Sequence, residues 1–149
     1  TIMGRIDRYT TTRMVMLDFG KLGSSNIKKV EEKKMRKVYV AGKLNDNAVG
    51  YIKNVHRMIK TARKVRMAGY AVYVPCNDFL EGLVDGGFEY NEYFDNSQPW
   101  LKAADAVFLT PGWESSTGTR REMDLALSFN IPVFDDLEKM NAHFGIYQA

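Results

Sequence analysis

Cysteine is almost missing from this chain of 149 residues: Cys76 stands alone, which excludes an internal disulfide and leaves too few thiolates for a structural zinc centre. No apolar run approaches the length that spans a bilayer, and the N-terminal end lacks the charged-then-apolar layout of a secretory signal. We therefore expect no membrane segment and a reducing, cytoplasmic setting. The only histidines, His56 and His143, fall in a long helical pattern and in the tail, and neither is placed to build a nucleophile–base triad. Neither the glycine-rich dinucleotide fingerprint nor the P-loop pattern occurs, no internal repeat is visible, and nothing calls for a metal or a cofactor. What is present is ordinary globular material, 45% hydrophobic and 26% charged, enough for one domain with a real core.

The net charge of +3 is unevenly placed, since residues 1–36 hold nine Lys or Arg against four Asp or Glu and the remainder holds twelve against fourteen. A basic arm of that kind can meet nucleic acid or an acidic partner. Here Lys28-Lys29-Val30-Glu31-Glu32-Lys33-Lys34 mixes both signs without interleaved aromatics, so a solvated segment is the expected reading and nucleic acid is not an expected partner. We read residues 1–34 as an N-terminal extension or packing arm, and residues 35–149 as the domain.

Within the domain, residues 37–42 predict a β-branched and aromatic strand ended by Gly42. A helical pattern follows over residues 49–68, with Ile52, Val55, Ile59, Ala62 and Val65 on one face and Lys53, Arg57, Lys60 and Lys64 on another, read as the solvated face. Residues 70–75 predict a second strand, which makes a right-handed strand–helix–strand crossover. A Gly-containing loop is expected next, then a short helix from Ser97 with Pro99 in its first turn. Residues 106–109 read as a buried third strand with Asp105 at its structural end. A helix over 123–129 ends at Asn130, residues 131–134 predict a fourth strand, and the tail predicts a short helix over 137–144. The fold class expected is α/β: a doubly wound, flavodoxin- or Rossmann-like parallel sheet of four to five strands with flanking helices.

Ligands bind such sheets at the C-terminal edge. That edge collects residues 42–47, Cys76, Asn77 and Asp78, then Asp95, Asn96 and Ser97, and finally residues 116–122. The last stretch belongs to Pro111-Gly112-Trp113-Glu114-Ser115-Ser116-Thr117-Gly118-Thr119-Arg120-Arg121-Glu122, a hydroxyl- and glycine-rich loop opening a helix. Free N–H groups there, beside the Ser116, Thr117 and Thr119 hydroxyls, suit a phosphate or a sugar hydroxyl. Thr119-x-x-Glu122 also fits a capping box, and both readings stand at this point. Tyr39 lies near enough to the edge for its hydroxyl to meet a neighbouring carboxylate. Two acidic groups around an anomeric carbon are what retaining glycosyl chemistry needs.

Val38-Tyr39-Val40-Ala41-Gly42, Leu101-x-x-Ala104-Asp105-Ala106-Val107 and Pro111-Gly112-Trp113-Glu114-x-Ser116-x-Gly118-x-x-x-Glu122, followed by Ala126 and Ile131-Pro132-Val133, resemble the nucleoside 2-deoxyribosyltransferase superfamily. The likeness is to its small single-domain branch, which includes the 2'-deoxynucleoside 5'-monophosphate N-glycosidases, and it spans roughly residues 35–134. The resemblance implies that Glu122 is a nucleophile forming a covalent deoxyribosyl intermediate, that Tyr39 holds and tunes it, and that Ser116 and the Gly118 N–H take the 5'-phosphate. It further implies a homodimer or higher homo-oligomer with sites completed by a neighbouring chain. Ser97 stands where the family commonly has an aspartate that helps the base leave; Asp95, two residues away, is the substitute we assign. Lys43 replaces the family's usual Pro or Ser. A second, weaker likeness is to the cytokinin-type phosphoribohydrolases.

The reading that results is a nucleotide N-glycosidase releasing free base and sugar 5-phosphate, with Glu122, Tyr39 and Asp95 in catalysis. Gly42, Lys43, Asn77, Trp113, Ser116, Thr117, Gly118 and Thr119 are assigned to a small-molecule nucleotide or nucleoside. Its alternatives are a base-exchanging transferase and a non-catalytic nucleotide-binding protein.

Overall fold

Four short strands are set in one parallel sheet, and the alternation along them decides what covers each side. They are β1 (Lys37–Ala41), β2 (Ala71–Tyr73), β3 (Ala106–Leu109) and β4 (Val133–Phe134), in the order β2-β1-β3-β4. Five helices flank them: α1 (Ala48–Met67), α2 (Asp78–Asp85), α3 (Tyr90–Lys102), α4 (Thr117–Ser128) and α5 (Leu137–Phe144). The structure is a computed structural model and describes residues 35–87 and 89–146. The extension expected over residues 1–34 lies outside the described residues. Among those described, no helix is long and apolar enough to cross a membrane.

Successive strand residues point to opposite faces. Val38 and Val40 pack with Met58, Ala62 and Val65 of α1 and with Met140 of α5, whereas Tyr39 and Ala41 pack with Leu101 of α3 and Ala126 of α4. The sheet is therefore doubly wound, as expected. Because β1 leads to α1 on one face and β3 to α4 on the other, the connections leaving the two central strands diverge and open the crevice where such folds bind ligands. At the opposite edge the Asp105 carboxylate accepts from the Lys37 N–H at 2.7 Å, and the Asp105 N–H donates to the Lys37 carbonyl at 2.8 Å. Asp105 thus pins strand register, which is the structural role read from its position.

Three local expectations are corrected. The inner stripe of α1 is Asn54, Met58, Thr61, Ala62 and Val65, and Ile52 and Ile59 are 69% and 51% exposed. Buried Asn54 donates its amide to the Leu44 carbonyl at 3.2 Å, which satisfies a loop acceptor and helps fix the helix's rotation at the cost of two isoleucines. The expected loop after residue 80 begins instead inside α2. Finally, α3 starts at Tyr90 rather than Ser97, with Pro99 in its interior. A reciprocal capping box between Glu89 and Glu92 supports the earlier start. Two residues before Pro99, the Ser97 hydroxyl donates to the Phe94 carbonyl at 3.1 Å, in a stretch where proline withholds an N–H.

Candidate active site

Tyr39 reaches the site because β1 turns its side chain toward α3 and α4, leaving the ring wholly buried and the hydroxyl at the sheet's upper edge. Glu122 arrives from the second turn of α4. The Tyr39 hydroxyl donates to Glu122 Oε1 across 2.6 Å. Burial raises the Glu122 carboxyl from the ordinary carboxylate range to about 7, against a smaller lowering by the tyrosine bond. Tyr39 itself is held well above the usual phenol value, first by burial and then by the neighbouring Glu122 charge. This carboxyl therefore changes charge near neutral pH, where a general acid or base is most effective, and it is mostly ionised, as a nucleophile must be, only above about 7.

The start of α4 is built as the loop composition required. Ser116 is the N-cap, and its Oγ accepts from the Thr119 N–H at 3.2 Å. The Thr119–Glu122 capping box does not form, since the helix begins two residues before Thr119 and leaves Glu122 to Tyr39. The Thr117 and Gly118 N–H groups, in the first turn, have no acceptor within the helix. A Cβ on Gly118 would stand 3.0 Å from the Tyr90 hydroxyl, so glycine makes room there for a side chain from α3. Gly42 is similarly constrained: a Cβ would come within 1.9 Å of Thr110 Oγ1. Thr119 is 1% exposed, and its hydroxyl has no protein partner among the described residues. Arg120 donates to the Glu114 carbonyl and Arg121 lies 3.8 Å over the Phe94 ring, so both brace the loop and helix.

Ser97 is buried, and its hydroxyl, which donates to the Phe94 carbonyl, lies close to the Tyr39 hydroxyl. It therefore sits at the reacting pair, where the resemblance puts an aspartate. Asp95 is exposed, and two helical residues turn it about 200° from Ser97; the structure does not bring it to the Tyr39–Glu122 pair. Asn77 is exposed at the end of a single 3-10 turn after β2, and Trp113 is half-buried against the Leu101–Val107 cluster, a wall as much as a contact. Lys43 pairs with Asp46 at 2.9 Å. Cys76 is buried with its thiol pushed up to about 11, so it is no thiolate.

A second carboxylate emerges that the site assignments omitted. Tyr73 stacks on Tyr39 at 5.5 Å between ring centroids, and Trp100 stacks on Tyr73 at 5.3 Å. The Tyr73 hydroxyl donates to Asp78 Oδ2 at 3.1 Å, and the Asn96 amide donates to the same oxygen at 3.2 Å. Burial first, then Asp78, and least the Glu122 charge, raise the Tyr73 phenol. Asp78 lay on the expected edge, but the aromatic stack that ties it to Glu122 joins strands and helices distant in sequence.

The fold and crevice define a doubly wound α/β protein with a buried tyrosine–carboxylate pair at its switch point. The chain belongs to the family described as a domain of unknown function, DUF4406, which matches residues 36–135. Among solved structures it is similar to a 2-deoxyribosyltransferase from the psychrotolerant bacterium Bacillus psychrosaccharolyticus, at 24% identity and a TM-score of 0.52, covering 65% of this chain and 69% of that one. That likeness is one of fold. No curated protein matches the chain.

Proposed function

We propose that this protein cleaves the N-glycosidic bond of a nucleoside 5'-monophosphate, with Glu122 as nucleophile. The observation that carries the reading is the 2.6 Å contact between the Tyr39 hydroxyl and Glu122 Oε1, one turn from a helix start able to hold a phosphate. The fold shared with a 2-deoxyribosyltransferase supports a nucleoside-type substrate. In the first step Glu122 attacks C1' of the sugar, the bond from C1' to the base nitrogen breaks, and its electron pair leaves with the base, which takes up a proton delivered by Asp78. In the second, water attacks C1' of the glycosyl ester and returns a proton to Asp78, releasing sugar 5-phosphate and the Glu122 carboxylate. Tyr39 stabilises the carboxylate as it departs. Asp78 takes the part of the second carboxylate in this scheme, since Ser97 has no carboxylic proton to give and Asp95 lies exposed.

The helix start favours a phosphorylated substrate through the Thr117 and Gly118 N–H groups and the Ser116 hydroxyl. Chromatography of free base from a panel of nucleoside 5'-monophosphates and nucleosides tests the reading. Base released from monophosphates by the unmutated protein, and not by Glu122→Ala, is the expected result. No release from any substrate refutes it, and new nucleoside formed when a second base is added identifies transfer in place of hydrolysis.

A further inference from the structure

On the other face of the sheet from Tyr39 and Glu122, a cavity of about 480 Å³ opens between the first half of α1 and the loop after β3. Lys43, Lys53, Arg57, Asn54, Asp46 and Ser115 line it. Three cations face one carboxylate there, and Asp46 is engaged by Lys43 at 2.9 Å. Among the described residues neither Lys53 nor Arg57 has a carboxylate partner. The basic stripe of α1, read from sequence as solvated, therefore divides: Lys60 and Lys64 are exposed as expected, but Arg57 is half-buried and turned to the cavity.

Arg57 is also held in place. Its Nη1 donates to Asn54 Oδ1 at 3.2 Å, while Asn54, 5% exposed, spends its own amide on the Leu44 carbonyl. The same Nη1 lies 3.6 Å from where a Cβ on Gly112 would stand, so the guanidinium rests against the left-handed glycine of the loop that lines the cavity. A fixed guanidinium with uncommitted N–H groups, flanked by ammonium groups and a hydroxyl, matches the oxygens of a phosphate.

The loop after β3 connects this cavity to the start of α4. Ser115 lines the cavity and the next residue, Ser116, caps the helix. We infer that the cavity is a second phosphate subsite, which takes phosphate groups beyond the one held at the helix start, so that the ligand bound best carries a 5'-di- or triphosphate. This inference deepens the proposed function and rests on its placement of the first phosphate. The chemistry recognised is a phosphate chain, whether attached to a nucleoside or free.

Equilibrium binding by calorimetry on the full chain tests it, with nucleoside 5'-mono-, di- and triphosphates of one base and with inorganic triphosphate. Two charge-assisted contacts predict a triphosphate affinity at least about tenfold above that of the monophosphate. The double variant Lys53→Gln/Arg57→Gln removes that advantage and leaves monophosphate binding within about twofold, whereas Lys53→Arg alone retains it. If inorganic triphosphate binds, depends on both residues and leaves monophosphate binding undisturbed, the subsite stands and its ligand is a free phosphate chain. Equal affinity for mono- and triphosphate, an advantage that persists in the double variant, or no binding of any phosphate ligand overturns the inference. Binding is read without turnover, so absence of base release with a Lys53- and Arg57-dependent triphosphate advantage refutes the proposed reaction alone.

Discussion

Tyr39, in the middle of the first strand, and Glu122, in the second turn of a helix 83 residues further on, share a 2.6 Å hydrogen bond at the upper edge of the sheet. The bond sets a carboxylate against a ring that is wholly buried, so the environment that positions Glu122 also keeps part of its hydration away. Those two effects oppose each other in its titration, and desolvation is the larger.

The first prediction follows from that balance. With Glu122 titrating at about 7, kcat/KM for base release falls below neutrality as the carboxylate is protonated, and the acid limb of a pH–rate profile has its midpoint there. Glu122→Gln lowers the rate on the order of a thousandfold or more at every pH.

The same shift has a stability consequence. A carboxyl raised by folding binds its proton more tightly in the native state, so the stability it contributes is complete below the ordinary carboxylate value and is lost as pH rises through about 7. Glu122→Gln, which cannot ionise, is expected to be more stable than the unmutated protein above pH 8, by up to about 3 kcal/mol, and nearly equal to it at pH 4. Urea unfolding at the two pH values reads the difference.

Tyr39→Phe removes a contact that favours the Glu122 carboxylate and keeps the ring that buries it. The acid limb then moves to higher pH by about one unit, with a loss in kcat/KM of roughly ten- to a hundredfold. A limb that stays in place or moves down contradicts the assigned role of the phenol.

Thr119→Val replaces a buried hydroxyl that has no protein partner among the described residues with a methyl of like shape. The free protein gains about 1 kcal/mol in denaturant unfolding. Affinity for a nucleoside monophosphate falls in the same variant if the hydroxyl serves the ligand, and holds if it does not.

Gly42→Ala brings a methyl within 1.9 Å of Thr110 Oγ1, where the ends of β1 and β3 lie together. A loss of about 1–3 kcal/mol is expected from the overpacking. Gly42→Ala/Thr110→Ala recovers most of it, measured by the same unfolding curves.

Much of the fold could be read from local pattern. The strands at residues 37–42 and 106–109, the short helix of the tail and the helix end at Asn130 all depend on neighbouring residues, and the structure has β1, β3 and α5 there, with α4 ending at Ser128. The sheet-edge rule brought Tyr39 within reach of a neighbouring carboxylate, and the family resemblance implied that Glu122 is that carboxylate. Local pattern was misread in two helices. Buried Asn54 turned α1 away from its most apolar stripe to satisfy the Leu44 carbonyl, and the capping box at Glu89 carried α3 through Pro99.

The sequence by itself determined the parallel α/β order, the helix-start loop and the carboxylate beneath it, since each is written in residues a few positions apart. Tertiary structure alone decided that Ser97 rather than Asp95 faces Tyr39, that Asp78 joins the site through stacked Tyr73, and that Lys53 and Arg57 share a cavity with the loop after β3. The physical reason is one of range. Helix rotation and ring stacking are set by packing between segments tens of residues apart, and a shift of one residue in that packing turns a side chain by about 100°, from site to solvent.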